Sequence, residues 1–207
     1  MTTPLPPRGY HHGSLEQALI AATVALIEEQ GVQAVSVREV ARRAGVSSGA
    51  PFRHFASKTA LMTAVAEQAM QRLTQSVQSR LDLLQAASPM VRLREMGHAY
   101  LDWVLANRTH FLVISSRSEI DFDRSPILVA QNEALRQTMI TLLGQAQSQG
   151  EVKPDLNLDD LVLTTRAMTY GAARLWADGH FPQWQVKADD RSALYRMIDL
   201  FLDQIAA

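Results

Sequence analysis

Residues 36–58 of the chain read SVREVARRAGVSSGAPFRHFASK, and this stretch decides the fold because it contains two short helix patterns joined by a glycine. Ser36 followed by Glu39 is a capping-box pattern, which predicts a helix start, and Gly45 predicts where that helix ends. A second short helix should follow, because Pro51 falls near a first turn, where a missing N–H costs least. Two short helices around a glycine turn are typical of the helix-turn-helix unit, whose second helix enters the major groove of DNA.

Positive charge is concentrated in the same stretch. Residues 36–58 contain five basic side chains and one acidic side chain, whereas residues 59–207 contain 14 basic and 17 acidic side chains. The whole chain of 207 residues has a formal net charge of −1. A basic patch on a mildly acidic body fits a DNA-contacting module joined to a second domain, although a solvated surface would give the same pattern.

Helix patterns continue on both sides of this stretch. Residues 1–9 contain three prolines and no apolar period, which predicts a flexible arm. Ser14 and Gln17 form another capping box and predict a first helix that ends at Gly31. A regular apolar pattern without proline or glycine then predicts one long helix over residues 57–87.

Five more helices are predicted beyond the long one, and no strand pattern is apparent. Proline, threonine and asparagine residues mark four of their starts. The predicted starts are Pro89, Phe111 with Thr109 as its cap, Pro126, the residue after Asn157, and the stretch before Leu194. The sequence therefore predicts an all-α fold of about nine helices, the first three of which form a compact basic unit.

Several function classes find no support in the composition. No run of about 18 uncharged apolar residues occurs, and the first residues lack the apolar stretch of a signal peptide, so we expect a cytoplasmic protein without membrane contact. The absence of cysteine excludes thiolate metal sites and cysteine nucleophiles. No catalytic or nucleotide-binding motif accompanies the histidines, so we expect no enzyme, no metal and no cofactor. The six histidines are His11, His12, His54, His98, His110 and His180.

Residues 10–67 resemble the DNA-binding region of TetR-like repressors. The marks of the resemblance are the glycine after the first helix, SVREVARRAGVS across the second helix and turn, the RHF segment, and SK before a long helix. The resemblance implies a homodimer that offers two recognition helices to successive major grooves of a double-stranded DNA operator. It also implies a pocket for a small-molecule inducer in the C-terminal domain.

We expect ten residues of the helix-turn-helix region to contact DNA. The resemblance places the hydroxyls of helix-start serines and Lys58 at phosphates, while arginine can address guanine and small residues allow close approach. Phe52 stands where many relatives have tyrosine, so His54 is the expected compensating phosphate ligand. Capping by the serines, simple exposure of Lys58 and packing of His54 are the alternatives. The expected set is Ser36, Arg38, Ser47, Ser48, Gly49, Ala50, Phe52, Arg53, His54 and Lys58.

Two further sets of residues belong to the C-terminal half. Bulky, adaptable side chains from several helices would suit a cavity for an apolar or aromatic molecule, although they are equally able to fill a solid core. They are Met96, Tyr100, Trp103, Phe111, Met139, Met168 and Trp176. An apolar stripe on the last helix, together with a glycine on the helix before it, predicts half of an intersubunit four-helix bundle or the closure of its own domain. This stripe and glycine are Gly171, Leu194, Met197, Phe201 and Ile205.

Together these patterns predict three parts: a flexible arm at 1–9, a helix-turn-helix DNA-binding domain at 10–58, and a ligand-binding and dimerisation domain at 59–207. The predicted function is a cytoplasmic, nucleoid-associated repressor that binds a pseudo-palindromic operator as a homodimer and is released by an unidentified inducer. The long helix would transmit ligand binding to the recognition helices. A helical small-molecule-binding protein without DNA function is the alternative, and an activator remains open because activation depends on operator position.

Overall fold

The computed structural model describes residues 12–207 of the chain, with side chains from residue 15 onward. In this part the secondary structure is helical apart from one isolated bridge between Val152 and Ala206, which confirms the all-α prediction. The predicted arm at 1–9 lies outside the described residues. The α-helices are α1 His12–Gln30, α2 Val37–Arg43, α3 Lys58–Asp82, α4 Pro89–Ala106, α5 Arg108–Ser115, α6 Pro126–Ser148, α7 Leu158–Ala177 and α8 Ser192–Ile205.

Polar side chains cap five of these helices and fix their starts. Each capping oxygen accepts a hydrogen bond from a backbone N–H two or three residues further along, which satisfies a donor that the first turn leaves unpaired. The helix starts that the sequence predicted after residues 36, 57, 88, 125 and 157 are thereby confirmed. The caps are Ser36, Ser57, Ser88, Ser125 and Asn157.

Three predicted helix boundaries are wrong. Helix α1 begins at His12, so Ser14 lies inside the helix instead of capping it. Helix α5 begins at Arg108, before Thr109, because the chain turns at Asn107, whose amide donates to the carbonyl of Trp103 in α4. Helix α3 ends at Asp82 instead of residue 87, since Leu83 is 83% exposed and burial gives a further turn no support.

The predicted third helix forms a turn and a short 3₁₀ helix, which reduces nine helices to eight in the part of the chain that the structure describes. Pro51 lacks the N–H that an α-helix would bond to the carbonyl of Ser47. The backbone instead forms tighter bonds, from Ala50 N–H to Ser47 O at 3.0 Å and from Arg53 N–H to Ala50 O at 3.2 Å. The helix-turn-helix order remains, with Pro51–Arg53 in the place of the presented helix.

Helix α3 is the central element of the molecule. Its buried face contacts α1 at the helix-turn-helix end and α4, α5 and α6 in the body. This face consists of Leu61, Met62, Val65, Ala66, Ala69, Met70, Leu73, Val77 and Leu81. Because these residues belong to one continuous apolar cluster, the DNA-binding end and the C-terminal body share a core.

Charged pairs and a close crossing hold α8 against α4. Arg94 bridges Asp199 at 2.7 Å and Asp203 at 2.6 Å, and His98 Nε2 lies 2.9 Å from Asp199. At the crossing, a Cβ on Gly97 would meet the Ile198 side chain at 3.2 Å, so a glycine is the residue that fits there. Helix α8 is therefore fixed to the body of its own protomer along one face.

Phe111 is a core residue whose contribution to stability can be measured. Its side chain is fully buried, with its ring 6.4 Å from that of Tyr100 and 5.9 Å from that of Tyr170. Phe111→Ala should lower the free energy of unfolding by about 3–5 kcal/mol, because it removes a large buried side chain and leaves a void. Urea denaturation at one fixed protomer concentration measures this loss.

Phe52→Ala is the matched control, because Phe52 is 56% exposed. It should change the free energy of unfolding by less than about 0.5 kcal/mol. Similar losses for the two variants would contradict the assignment of Phe111 to the core.

Candidate DNA interface and ligand cavity

The helix-turn-helix presents a polar, exposed surface on a buried base. Val40, Ala41 and Phe55 are buried, while Gly45 has a φ of 68° in the turn, a conformation that favours glycine. Of the ten predicted contact residues, Ala50, His54 and Lys58 are half-buried, and the other seven are exposed. These seven are Ser36, Arg38, Ser47, Ser48, Gly49, Phe52 and Arg53.

The basic residues of this region divide into two groups. Arg42 bonds Glu39 at 2.6 Å, and Arg43 bonds both Glu39 at 3.3 Å and Glu29 of α1. The hydrogen bond from Arg42 lowers the pKa of Glu39 to about 2, so this carboxylate stays ionised at neutral pH. Arg38 and Arg53, by contrast, form no ion pair within residues 15–207, so their guanidinium groups can bind an anion from outside.

His54 lies against the first helix. Its side chain is 12% exposed, its Nδ1 lies 3.9 Å from a carboxylate oxygen of Glu16, and its ring is 6.4 Å from that of Phe55. Only a small edge of the imidazole is left for a phosphate. The geometry thus favours the packing alternative, and a phosphate contact by His54 stays a prediction.

Lys58 is paired with a residue from the C-terminal body. Its Nζ lies 2.9 Å from Oε2 of Glu119. The other carboxylate oxygen of Glu119, Oε1, accepts a hydrogen bond from Gln33 Nε2 at 3.0 Å. The hydrogen bond from Lys58 lowers the pKa of Glu119 from its ordinary value. Lys58, which we expect to contact a DNA phosphate, therefore already has a carboxylate partner in the protein without DNA.

Glu119 belongs to residues 116–125, a connection between α5 and α6 that we call the bridging segment. Its Asp121 N–H donates to Thr63 Oγ1 at 2.9 Å, and its Ser125 hydroxyl donates to Glu67 at 2.6 Å, which ties the segment to α3. Sequence reasoning treated this segment as a break between helices. The Lys58–Glu119 contact joins residues 61 positions apart, and no local pattern could have revealed it.

A cavity of about 630 Å³ lies between the bridging segment and helices α3, α4, α6, α7 and α8. This volume is in the range of small-molecule sites. Its lining contains apolar side chains as well as polar groups from α5, the bridging segment, α6 and α7. The apolar side chains include Met70, Leu73, Val77, Leu93, Met139, Val162 and Leu202. The polar ones include Ser115, Arg117, Asn132, Arg136, Asp159, Thr165 and Arg166.

The structure brings three of the seven predicted pocket residues to this cavity, namely Met96, Tyr100 and Met139. Tyr100 is buried beside it, and desolvation raises the pKa of its hydroxyl, which therefore keeps its proton at neutral pH. The other four lie outside its lining, so their contact with a ligand stays a prediction. Phe111 packs edge-on against Tyr100. Trp103 and Phe111 are core residues, and Met168 and Trp176 are half-buried away from the lining.

The sequence prediction missed the cationic part of the lining, because it searched for bulky apolar side chains. Arg166 carried a usable signal. No acidic residue stands three or four positions from it on α7, and a tyrosine follows at the helical spacing of four.

The outward face of α7 and α8 contains apolar side chains that the protomer does not cover. Leu163 is 69% exposed and Leu200 is 64% exposed, while Met197 and Phe201 are half-buried. A Cβ on Gly171 would meet no atom within 4 Å. Two members of the predicted interface set, Leu194 and Ile205, are buried in their own protomer at 0% and 7% exposed, and the interface itself stays a prediction.

A basic helix-turn-helix, a central helix that enters a shared core, and a cavity in the helical body are the features of one class of protein, the DNA-binding transcriptional regulators. Among residues 12–207 no helix has the length and apolar character needed to cross a membrane. The described residues also contain no cluster of three or more potential metal-binding side chains.

Comparison with known proteins identifies the family. Residues 19–65 match the model "Bacterial regulatory proteins, tetR family", and residues 93–201, more than half of the chain, match "Tetracyclin repressor-like, C-terminal domain". The chain belongs to the TetR family of bacterial transcriptional regulators, as its sequence predicted.

The similarity to individual known proteins covers most of the chain. The transcriptional repressor KstR2 of Mycolicibacterium smegmatis is 23% identical over 168 residues, which is 80% of this chain and 81% of the relative. A Rhodococcus protein of unknown function has a solved structure with 27% identity and a TM-score of 0.77, covering 97% of this chain and 100% of that one. The ketosteroid regulator KstR2 of Mycobacterium tuberculosis shares the fold at 18% identity, with a TM-score of 0.67 over 96% of this chain and 98% of its own.

The Lys58–Glu119 pair yields a prediction about DNA affinity. Glu119→Gln should tighten DNA binding about two- to fivefold, because Lys58 no longer has to leave a carboxylate before it meets a phosphate, and a partly exposed ion pair is worth at most about 1 kcal/mol. The factor should be the same for every DNA sequence, since phosphates carry no sequence information. Fluorescence anisotropy with two unrelated duplexes measures it.

Asp123→Asn is the matched control, because it removes the same charge from the same segment at an exposed position that forms no ion pair within the described residues. An equal gain in affinity from Asp123→Asn would show that overall charge, and not the pair, sets the effect.

Proposed function

We propose that this regulator is a ligand-responsive repressor that binds a pseudo-palindromic operator as a homodimer and leaves it when a small molecule fills the cavity. The observation that carries the proposal is the state of Arg38 and Arg53. Both are exposed, Arg38 in α2 and Arg53 in the short helix Pro51–Arg53, and neither has a carboxylate partner among the described residues. We infer no catalytic activity, and we place the protein in the cytoplasm at the nucleoid, where its operator would lie.

Residues 10–58 are the proposed DNA-binding domain. Arg38 and Arg53 would address base edges, because a guanidinium group can bind guanine through two parallel hydrogen bonds. The hydroxyls of Ser36 and Ser47 would contact phosphates in addition to capping. Lys58 would exchange Glu119 for a phosphate when the domain docks, and the exposed Phe52 would add apolar contact without a hydroxyl.

Residues 59–207 are the proposed ligand-binding and dimerisation domain. Helices α7 and α8 of two protomers would form a four-helix bundle, the two-fold arrangement that matches a pseudo-palindrome. The contact would bury the exposed Leu200 and Leu163, the second of which also borders the cavity, and would complete the burial of the half-buried Met197 and Phe201. The open side of Gly171 gives room for a partner helix to approach.

Release would begin at the cavity. Met70, Leu73 and Val77 of α3 line it, as do Arg117 and Phe122 of the bridging segment. A ligand that shifts these residues would tilt α3, whose first residue is Lys58, and would move Glu119. The half-sites of an operator lie about 34 Å apart or a multiple of that distance, so a small change in the spacing of the two helix-turn-helix units of the dimer lowers operator affinity.

Selection of bound fragments from random duplex DNA tests the reading function. The full-length protein at near-physiological salt should enrich an inverted repeat. Arg53→Gln should then weaken operator binding about 10- to 100-fold and relax one position of the repeat, while random DNA is little affected. Lys58→Gln should weaken operator and random DNA equally and reduce the salt slope by about one unit.

The two variants control for each other, because each removes one positive charge from the same surface. Failure of a folded, dimeric protein to enrich any sequence would favour a helical ligand-binding protein without DNA function. Equal losses on operator and random DNA for Arg53→Gln would remove this residue from base recognition.

Leu200→Glu tests the dimer. A carboxylate at this position would have to be buried without a partner in the bundle, so the protein should become monomeric at concentrations where the unmodified chain is dimeric. Operator affinity should fall more than tenfold, because a monomer meets only one half-site. Light scattering after size-exclusion chromatography reports the mass.

Leu83→Glu is the control, since Leu83 is 83% exposed just beyond the end of α3. A dimer that survives Leu200→Glu, or dissociates equally with Leu83→Glu, would refute the proposed interface.

A further inference from the structure

We propose that the cavity binds an apolar molecule that carries an anionic group, and that Arg117 and Arg166 bind this group. The inference rests on the proposed function of the cavity as the inducer site and adds the chemical class of the ligand. It follows from how these two arginines are held, from the charge of the lining, and from polar groups left without partners in its wall.

Arg117 and Arg166 are held by aromatic rings instead of carboxylates. The guanidinium carbon of Arg117 lies 3.3 Å from the centre of the Phe122 ring, and that of Arg166 lies 4.9 Å from the ring centre of Tyr170. Arg166 also stands 5.6 Å from the ring centre of Tyr100. Neither arginine forms an ion pair within residues 15–207.

Three other arginines of the body are paired with carboxylates. Arg80, Arg94 and Arg174 each bond a carboxylate at 2.8 Å or less. Arg136, the third arginine of the cavity lining, is bonded to Glu133 at 3.1 Å. The lining thus contains two arginines whose charge no carboxylate among the described residues neutralises.

Stacking fixes a guanidinium group without using up its donors. An aromatic face attracts the cation through its π-system, so the N–H groups at the edge of the plane remain able to bind a carboxylate or phosphate in pairs. Because the rings already restrict both side chains, less rotamer entropy is lost when an anion binds. Arg166 donates one bond in this site, to the Tyr100 hydroxyl at 3.4 Å.

The lining as a whole combines a net positive charge with apolar side chains. It contains three arginines and one acidic residue, Asp159, which is exposed in the first turn of α7. Its methionine, leucine and valine side chains come from α3, α4, α6, α7 and α8. A neutral apolar ligand would satisfy these apolar side chains alone, whereas an amphipathic anion would also bind the unpaired arginines.

Two hydroxyls of the cavity wall lack partners. Thr165 Oγ1 and Ser115 Oγ are buried and form no hydrogen bond among the described residues, and Thr165 as a whole is only 6% exposed. Buried polar groups are normally hydrogen-bonded, and an unpaired one costs free energy. A ligand with an oxygen-containing group would supply the missing partner, and both residues stand in the lining of this cavity.

Two fluorescent probes with the same apolar body test the proposal. 1-Pyrenebutyrate carries a carboxylate, and 1-pyrenebutanol carries a hydroxyl at the same place. The full-length protein should bind the carboxylate at least tenfold more tightly, which is the effect of one charge-assisted contact. Displacement of 1-pyrenebutyrate by decanoate or by decyl phosphate then distinguishes a carboxylate ligand from a phosphate ligand.

Variants connect the preference to the two arginines. The double variant Arg117→Gln, Arg166→Gln should lose at least tenfold in affinity for 1-pyrenebutyrate and less than twofold for 1-pyrenebutanol, and its retained alcohol binding shows that it is folded. Arg124→Gln is the control, because Arg124 lies in the same bridging segment, has an 87% exposed side chain and does not line the cavity. It should leave the affinities of both probes unchanged.

Equal affinities of the two probes, equal losses of both in the double variant, or no binding of either probe would overturn the proposal. The proposed function is judged separately by operator binding. If 1-pyrenebutyrate binds through the arginines but leaves operator affinity unchanged, the ligand class stands and the inducer function of the cavity fails.

Discussion

The structure depends on burying one face of α3 along its whole length. At 1.5 Å per residue this helix of 25 residues is roughly 37 Å long, and its apolar face is covered first by α1 and then by α4, α5 and α6. Leu61 and Val65 belong to the part nearest the helix-turn-helix, and Leu73 and Val77 belong to the part that lines the cavity. Both parts belong to one continuous apolar cluster, so the contacts of the helix-turn-helix end and those of the cavity wall lie on the same rigid element. The helix-turn-helix and the cavity wall therefore share the core that makes the protein stable.

The arginines of this chain show how one side chain serves three purposes according to its neighbours. Arg43 bonds Glu29 and Glu39 and joins α2 to α1, so its charge is used inside the protomer. Arg53 is exposed and has no carboxylate partner among the described residues, which suits a surface that meets DNA. Arg166 is stacked between tyrosines at the cavity, where its charge is kept but its position is restricted. Counting basic residues gives a patch of +4 for residues 36–58, yet the pairs of Arg42, Arg43 and Lys58 leave only part of that charge to attract DNA.

Sequence patterns predicted what is local and missed what is distant. The caps Ser36, Ser57 and Asn157 could be predicted because capping needs only a side-chain oxygen and a backbone N–H that lie three residues or fewer apart. The presented helix was predicted from the same signals, but Pro51 removed the hydrogen bond on which an α-helix depends. The cavity lining could be predicted only in part. Met96 and Phe111 are both bulky and apolar in the sequence, and only packing decides that Met96 lines the cavity while Phe111 lies in the core. The outward face of α7 and α8 was missed at Leu163 and Leu200 for a similar reason, since the stripe that buries α8 in its own protomer is the stronger pattern.

The bridging segment gives the cavity a second contact with the DNA-binding end, at the first residue of α3. Arg117 and Phe122 stand in the cavity wall, whereas Glu119, between them in sequence, holds Lys58 and Gln33. An anion that draws Arg117 toward the cavity acts on a segment whose Glu119 competes with DNA phosphates for Lys58. A ligand can shift an equilibrium only by its difference in affinity for the two states, so the contacts that matter are those that change between them. In the proposed release, the stacked Arg117 and the Lys58–Glu119 pair would be such contacts, because each could be exchanged for a partner from outside the protein without unfolding the helices that carry them.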